Sequence, residues 1–162
     1  MALTIQPMSE QDYQDWRLII VPEYAQEKVI SGAWTEAESL QKSKNELAAQ
    51  LPIGLATPEQ WLFTLHLTPG TGRVGFLWFA RHENTAYLYD LYIAPEFRRQ
   101  GHGRQAMQLF QTAAKERGFT SMALHVFGDN PGARDLYLSA GYRITDWNMR
   151  KDLPEADSTT GS

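Results

Sequence analysis

Cysteine is absent from the 162 residues. Its absence excludes disulfides, thiolate metal sites and any cysteine nucleophile. No apolar run reaches the roughly 18 residues of a membrane span, so no membrane partner is expected. Residues 1–13 carry no basic stretch followed by an apolar one, so no secretory signal is expected and the cytoplasm is the expected compartment. A Gly-x-Ser-x-Gly elbow is missing, and no Gly-Lys-Ser/Thr closes a P-loop. The few histidines include the scattered His66 and His82 and show no ligand spacing, so no metal is expected. Excess positive charge is also lacking. The formal net charge is −4, which speaks against a nucleic-acid partner.

What is present reads as one folded domain, expected over residues 3–153, with a small polar tail at 154–162. Hydrophobic residues make up 43% and charged residues 21%, an ordinary globular balance. Charge is unevenly placed: residues 1–60 hold nine acids and four bases, whereas the remainder nets +1. The densest cationic cluster is Arg98, Arg99 and Arg104, with His102 among them. A local basic loop in an acidic chain suits one anionic ligand rather than a polyanion.

Hydrophobic periodicity predicts a strand over 3–7, then a helix capped by Ser9 with Asp12 at N3 and with Tyr13, Trp16 and Ile20 on one face. Pro22 is expected to break or kink that helix. Thr35 and Glu38 form a second capping box, and Leu40, Leu47 and Leu51 carry the next helix toward Pro52. The period then changes. Residues 61–67, 74–80 and 86–93 read as strands of an antiparallel meander, with turn chemistry at 69–72 and 83–85. A helix over 104–117 has Ala106, Phe110, Ala113 and Ala114 as its stripe and stops at Gly118. Residues 121–127 read as a strand, Asn130 and Pro131 open a short helix, Gly141 closes it, and 142–149 reads as a last strand. The strand–helix–strand passage from 86–93 to 121–127 implies a parallel pair inside a mixed sheet. The fold class is therefore α/β (α+β), with helices on both faces.

The strongest chemical feature is Arg98-Arg99-Gln100-Gly101-His102-Gly103-Arg104, between a strand and a helix. Gly101 and Gly103 permit turns closed to other residues and close approach of the backbone. The free amides and dipole of the helix start favour an anion, and a diphosphate fits the added arginines. Gly101-x-Gly103-x-x-Ala106 also matches a dinucleotide fingerprint, but position 121 is Ser where a ribose-binding acid belongs, and the nearest acid beyond it is Asp129.

The segment Leu91-Tyr92-Ile93-Ala94-Pro95-Glu96-Phe97-Arg98, the Arg98-x-x-Gly101-x-Gly103 loop and Asn130-x-x-Ala133-x-x-x-Tyr137 before Gly141-Tyr142 resemble, in this order, the motifs of the GNAT superfamily of N-acetyltransferases. The resemblance is strong over 86–153 and weaker over 3–85. It implies a mostly antiparallel mixed sheet in which the strands 86–93 and 121–127 splay apart around acetyl-CoA. Backbone at Leu91, Tyr92 and Ile93 would meet the pantetheine. The amides of Arg99, Gln100, Gly101, His102, Gly103 and Arg104 would hold the pyrophosphate, and Asn130, Ala133 and Tyr137 would complete the coenzyme site. The implied activity is acetyl transfer to a primary amine of a small metabolite, amino-sugar, polyamine or peptide N-terminus, without metal. A homodimer is a further implied partner, since GNAT enzymes are often dimers. A non-catalytic acyl-CoA-binding module of the same fold is the alternative.

Amine acetylation requires an ammonium to lose a proton, an oxyanion to be stabilised and a thiolate to be protonated. Tyr137 is the expected acid by resemblance, against the reading of a tyrosine packed on the sheet. His125 is the expected proton acceptor and Asp90 the residue that orients the amine. Asp90 is also the rival for the proton, and structural hydrogen bonding is open for both. Asp90 is expected to alternate with Leu88 and Tyr92. Trp78, Tyr89, Tyr92 and Phe127 are candidates for an acceptor pocket, against plain core. Trp16, Trp34 and Trp61 are assigned to packing. Glu36, Glu38 and Glu46 read as a solvated face or, more weakly, as attraction for a cationic acceptor.

Overall fold

A computed structural model describes residues 2–70, 72–128 and 130–155. Thr71 of the expected 69–72 turn, Asp129 and most of the expected tail (156–162) lie outside the described residues. The elements run β1 (Ala2–Pro7), α1 (Glu10–Ile30), α2 (Glu36–Gln50), β2 (Gln60–Thr68), β3 (Arg73–His82), β4 (Thr85–Ile93), α3 (His102–Glu116), β5 (Ser121–Leu124) and α4 (Pro131–Ser139). The five strands form one sheet in the order β1-β2-β3-β4-β5. The first four are antiparallel to their neighbours and β4-β5 is parallel. The mixed, mostly antiparallel sheet is thus the expected one.

Local chemistry sets the helix starts. The Ser9 amide donates to Asp12 Oδ2 at 3.0 Å and the Asp12 amide to Ser9 Oγ at 3.0 Å, closing a reciprocal cap on α1. The Thr35 amide donates to Glu38 Oε1 at 3.0 Å on α2. Pro22 does not break α1, which runs unbroken through it. The carbonyl that loses its donor belongs to Leu18, whose side chain is 77% exposed, so that side of the helix is open to water. Beside the proline, Ser43 Oγ of α2 donates to Val21 O at 2.7 Å, tying the two helices together.

Each sheet face carries one core. Tyr13, Trp16 and Val21 of α1 and Leu47 of α2 pack on Leu62, Phe76 and Trp78. Ala106, Met107, Phe110, Ala113 and Ala114 of α3 pack on the other face against Leu65, Leu77, Phe79, Ala86 and Leu88. Leu40, expected on the buried side of α2, is 47% exposed. The expected strand 121–127 ends at Leu124, so residues 125–127 are not in the sheet. Residues 142–149 form no strand. Outside the sheet, their apolar side chains Ile144, Trp147 and Met149 are exposed. Instead Arg150 Nη1 donates to Gly32 O at 2.8 Å and fixes the segment to the α1–α2 connection.

Candidate active site

β4 and β5 pair only from Thr85↔Ser121 to Leu88↔Leu124. β5 then stops while β4 continues to Ile93, so residues 90–93 keep their β3 partners and have no neighbour on the other edge among the described residues. The two strands therefore part where the sequence places Tyr89, Asp90 and Leu91. The opening coincides with a β-bulge. Phe79 pairs with Leu88 but Trp78 pairs with Asp90, leaving Tyr89 as the extra residue. A bulge inverts the alternation beyond it. Asp90 consequently does not share a face with Leu88. Leu88 enters the α3-side core, whereas Tyr89 and Tyr92 pack on the α1-side core and Asp90 reaches Trp16 of α1.

Trp16 Nε1–H donates to Asp90 Oδ2 at 2.9 Å. No donor from the described residues reaches Oδ1. Loss of hydration pushes the Asp90 carboxyl up to about 8; the Trp16 hydrogen bond opposes this and the charges of Glu23 and Glu27 add to it. Asp90 lies on a cavity of about 390 Å³ walled by α1, α2, β4, residues 124–127 and the start of α4. That volume is within the range of small-molecule sites. His125, Asn130, Ala133 and Tyr137 line the same cavity, so all three expected chemical residues meet there.

The three residues stand in different surroundings. Asn130 Oδ1 accepts from the Ala133 amide at 3.2 Å, opening α4 and setting Tyr137 two turns on. Burial, with the charges of Asp90 and Glu27, pushes the Tyr137 hydroxyl up to about 12, so it keeps its proton at neutral pH. His125 lies past the end of β5, is exposed, and meets Phe127 edge-to-face at 4.9 Å. Of the candidate aromatic lining, Trp78, Tyr89 and Phe127 are on the cavity. Tyr92 is not, and the Arg98 guanidinium covers its ring at 5.5 Å. Trp61 stacks on Phe79 and Trp34 meets Tyr24 edge-on, as packing residues do. Trp16 is core as expected, but it also fixes Asp90.

The basic loop leads from the free end of β4 to α3. Arg99 and Gly101 have φ of 61° and 82°, and Gly101 is the residue before the helix. A Cβ at Gly101 would meet nothing within 4 Å, so glycine serves the left-handed backbone there, not a lack of space. Gly103 differs from expectation. It is helical, and its added Cβ would stand 3.2 Å from Leu136 Cδ2, so glycine admits α4 against α3. Arg98 Nε donates to Ile93 O at 2.7 Å, Gln100 Nε2 to Glu96 O at 3.2 Å and Arg104 Nη2 to Ser139 Oγ at 3.4 Å. Both ring nitrogens of His102, and Gln105 Oε1 one turn on, are enclosed without a protein partner. A His102 ring N–H at the first turn of a helix that follows an arginine-bearing loop suits an anion, whereas Gln105 Oε1 is an acceptor and calls for a donor.

Glu23 and Glu27 on the cavity wall went unread in the sequence, although their spacing was there to see. Trp16, Ile20, Glu23 and Glu27 continue one α1 stripe, so two carboxylates occupy positions the pattern reserves for the core. The bulge left a trace too. The apolar series Ala86, Leu88, Leu91, Ile93 has one interval of three in a strand of period two.

Residues 34–142 match the model of the acetyltransferase (GNAT) family. The chain is 31% identical to the N-acetyltransferase YdgE of Bacillus subtilis over 157 residues, covering 94% of this chain and 99% of that one. It is 32% identical to YycN of the same organism, over 94% and 100%. The crystal structure of YycN superimposes with a TM-score of 0.90 over 95% of this chain and 100% of YycN. PaiA N-acetyltransferase from Thermoplasma acidophilum, solved in complex with coenzyme A, has a TM-score of 0.67 at 18% identity, over 91% and 94%. At that identity the likeness is one of fold. With the paired motifs, the splayed strands and the match along most of its length, the chain belongs to the GNAT family of acetyltransferases.

Proposed function

We propose that the protein acetylates a primary amine by direct attack on acetyl-CoA. The observation that carries this reading is the parting of β4 and β5 at Leu88 and Leu124, where Asp90 and Tyr137 face one cavity. The free β4 edge at Leu91, Tyr92 and Ile93 offers backbone groups to the pantetheine amides, and the amides of 99–104 with His102 hold the pyrophosphate. A coenzyme A complex in a protein of the same fold supports that placement.

Asp90, rather than His125, takes the ammonium proton. Asp90 lines the cavity, is fixed by Trp16 and has its carboxyl pushed up to about 8 by loss of hydration, whereas His125 is exposed. Tyr137 supplies the proton to the departing sulfur. The C–N bond forms as the thioester C–S bond breaks. Of the two protons the nitrogen sheds, one leaves through Asp90 to solvent and the other restores Tyr137. The test is free thiol release from acetyl-CoA over a panel of primary amines. Bound coenzyme with no thiol released from any amine would make the protein a non-catalytic acyl-CoA module instead.

A further inference from the structure

Side chains hold the bulge that turns Asp90 toward the cavity. As the extra residue, Tyr89 has no register partner on β3, so the ladder does not fix it. Its ring stacks on Trp78 with 4.5 Å between centroids, and its hydroxyl shares a hydrogen bond with His82 Nε2 at 2.7 Å. Trp78 is itself the register partner of Asp90 and is buried. Its Nε1–H donates to Gln60 Oε1 at 2.7 Å, and its ring meets Trp16 edge-on at 5.4 Å. Trp16 in turn donates to Asp90 Oδ2. Trp16, Trp78, Tyr89 and Asp90 thus close a ring of contacts around the carboxyl. Its outermost support is His82, which is exposed at the end of β3, does not line the cavity, and lies parallel to Tyr87 at 4.8 Å. The charges that act on Asp90 are those of Glu23 and Glu27, so the route from His82 to Asp90 runs through Tyr89.

We propose that His82 is a positioning residue for Asp90: its bond to the Tyr89 hydroxyl pins that ring on Trp78, which keeps Tyr89 outside the ladder and the Asp90 carboxyl against Trp16 and the cavity. The consequence for turnover rests on reading the cavity as the acetyl-transfer site; the consequence for the carboxyl does not. Tyr89 lines the cavity beside Asp90, so a ring held by stacking alone admits water to the carboxyl. Loss of hydration is the main reason that this carboxyl resists ionising, and admitted water lowers that resistance. A displaced carboxyl also meets an ammonium less often in a productive geometry.

Thermal unfolding at pH 7 tests it without any substrate. Asp90→Asn should raise Tm by several degrees in the unaltered protein, and by less than about half as much in a His82→Ala background. Tyr89→Phe, which keeps the stack and removes the hydroxyl, should shrink the rise likewise, and combining it with His82→Ala should change nothing further. His82→Gln, whose amide can replace the ring nitrogen as a partner without a charge, should restore the full rise. Glu23 and Glu27 of α1 and Tyr137 of α4, which act on or feel the Asp90 charge, are the same in every variant. In thiol release from acetyl-CoA with the most active amine of the panel, His82→Ala should lower kcat by about three- to tenfold and leave the KM for acetyl-CoA unchanged, and His82→Gln should keep the full rate. A full Asp90→Asn rise in the His82→Ala background, or a loss that His82→Gln does not restore, overturns the positioning role, as does the absence of any rise in the unaltered protein. If no amine releases thiol, the transfer reading falls, while the unfolding series still decides whether His82 positions Asp90.

Discussion

Asp90→Asn is expected to stabilise the protein at neutral pH while disabling it. Asparagine keeps the volume, and its Oδ1 still accepts from Trp16 Nε1–H, so the substitution removes only the ionisable proton. In the folded protein burial raises the Asp90 carboxyl to about 8, whereas in the unfolded chain it titrates near 4. A group raised in this way contributes full stability below about pH 4 and loses it progressively as pH climbs to about 8. At pH 7 the unfolded carboxyl is ionised and the folded one stays neutral, at a cost to folding of at most about 4 kcal/mol. The carboxyl borders a cavity that water can enter, so a measured gain of about 1–3 kcal/mol is expected, or several degrees in Tm for a chain of this size. Thermal unfolding of both proteins at pH 4, 6, 7 and 8.5 reads it. The curves should coincide near pH 4 and separate as pH rises, with the variant higher. Turnover should meanwhile drop by about 10²-fold or more. A variant less stable at pH 7, or a difference that ignores pH, would refute an enclosed and uncompensated carboxyl.

Three other outcomes follow from the same geometry. Tyr137→Phe should leave acetyl-CoA affinity within a few-fold, by calorimetry, and lower kcat by about 10²-fold, the scale for losing a proton donor; a near-normal kcat would make the tyrosine a packing residue. The kcat/KM profile for the amine should rise through a limb near 8 that Asp90→Asn removes and His125→Ala keeps, whereas loss of the limb in His125→Ala and its survival in Asp90→Asn would hand the proton to the histidine. Gly103→Val should abolish acetyl-CoA binding, and Leu136→Ala should restore part of it in the double variant, since the added Cβ meets Leu136; no rescue would place the collision with the ligand alone.

The layers of the fold were legible because each rests on local chemistry repeated along the chain. The caps at Ser9 and Thr35, the period-two runs of β2 to β4, the α3 stripe and the Asn130–Gly141 helix all have short-range causes. What was not legible depends on partners distant in sequence. Pro22 reads as a helix breaker until Leu18 is known to face water and Ser43 to bond Val21 O. The 142–149 segment alternates at Tyr142 and Ile144 and again at Trp147 and Met149, but with an interval of three between them, and Ile144, Trp147 and Met149 are exposed. Periodicity cannot supply a neighbour. At the site, the residue types and the loop were readable, whereas the environment that sorts Asp90 from His125 was not, since Trp16 lies 74 positions from Asp90.

The bulge at Tyr89 is what brings the Asp90 carboxyl to the cavity. Were Tyr89 paired regularly instead of bulged, Asp90 would follow Leu88 into the α3-side core, where an ionisable group has no partner and would cost several kcal/mol. With it, the chain turns Asp90 onto the α1 side, beneath Trp16 and within the field of Glu23 and Glu27, while Leu91 and Ile93 regain the apolar face. By setting Tyr89 outside the ladder, the bulge keeps continuous burial along the α3 face and delivers the carboxyl to the cavity at the point where β5 ends. Deleting Tyr89 would make Leu88 and Asp90 consecutive opposite Phe79 and Trp78, so it is expected to mend the ladder while keeping Asp90 on the α1 side.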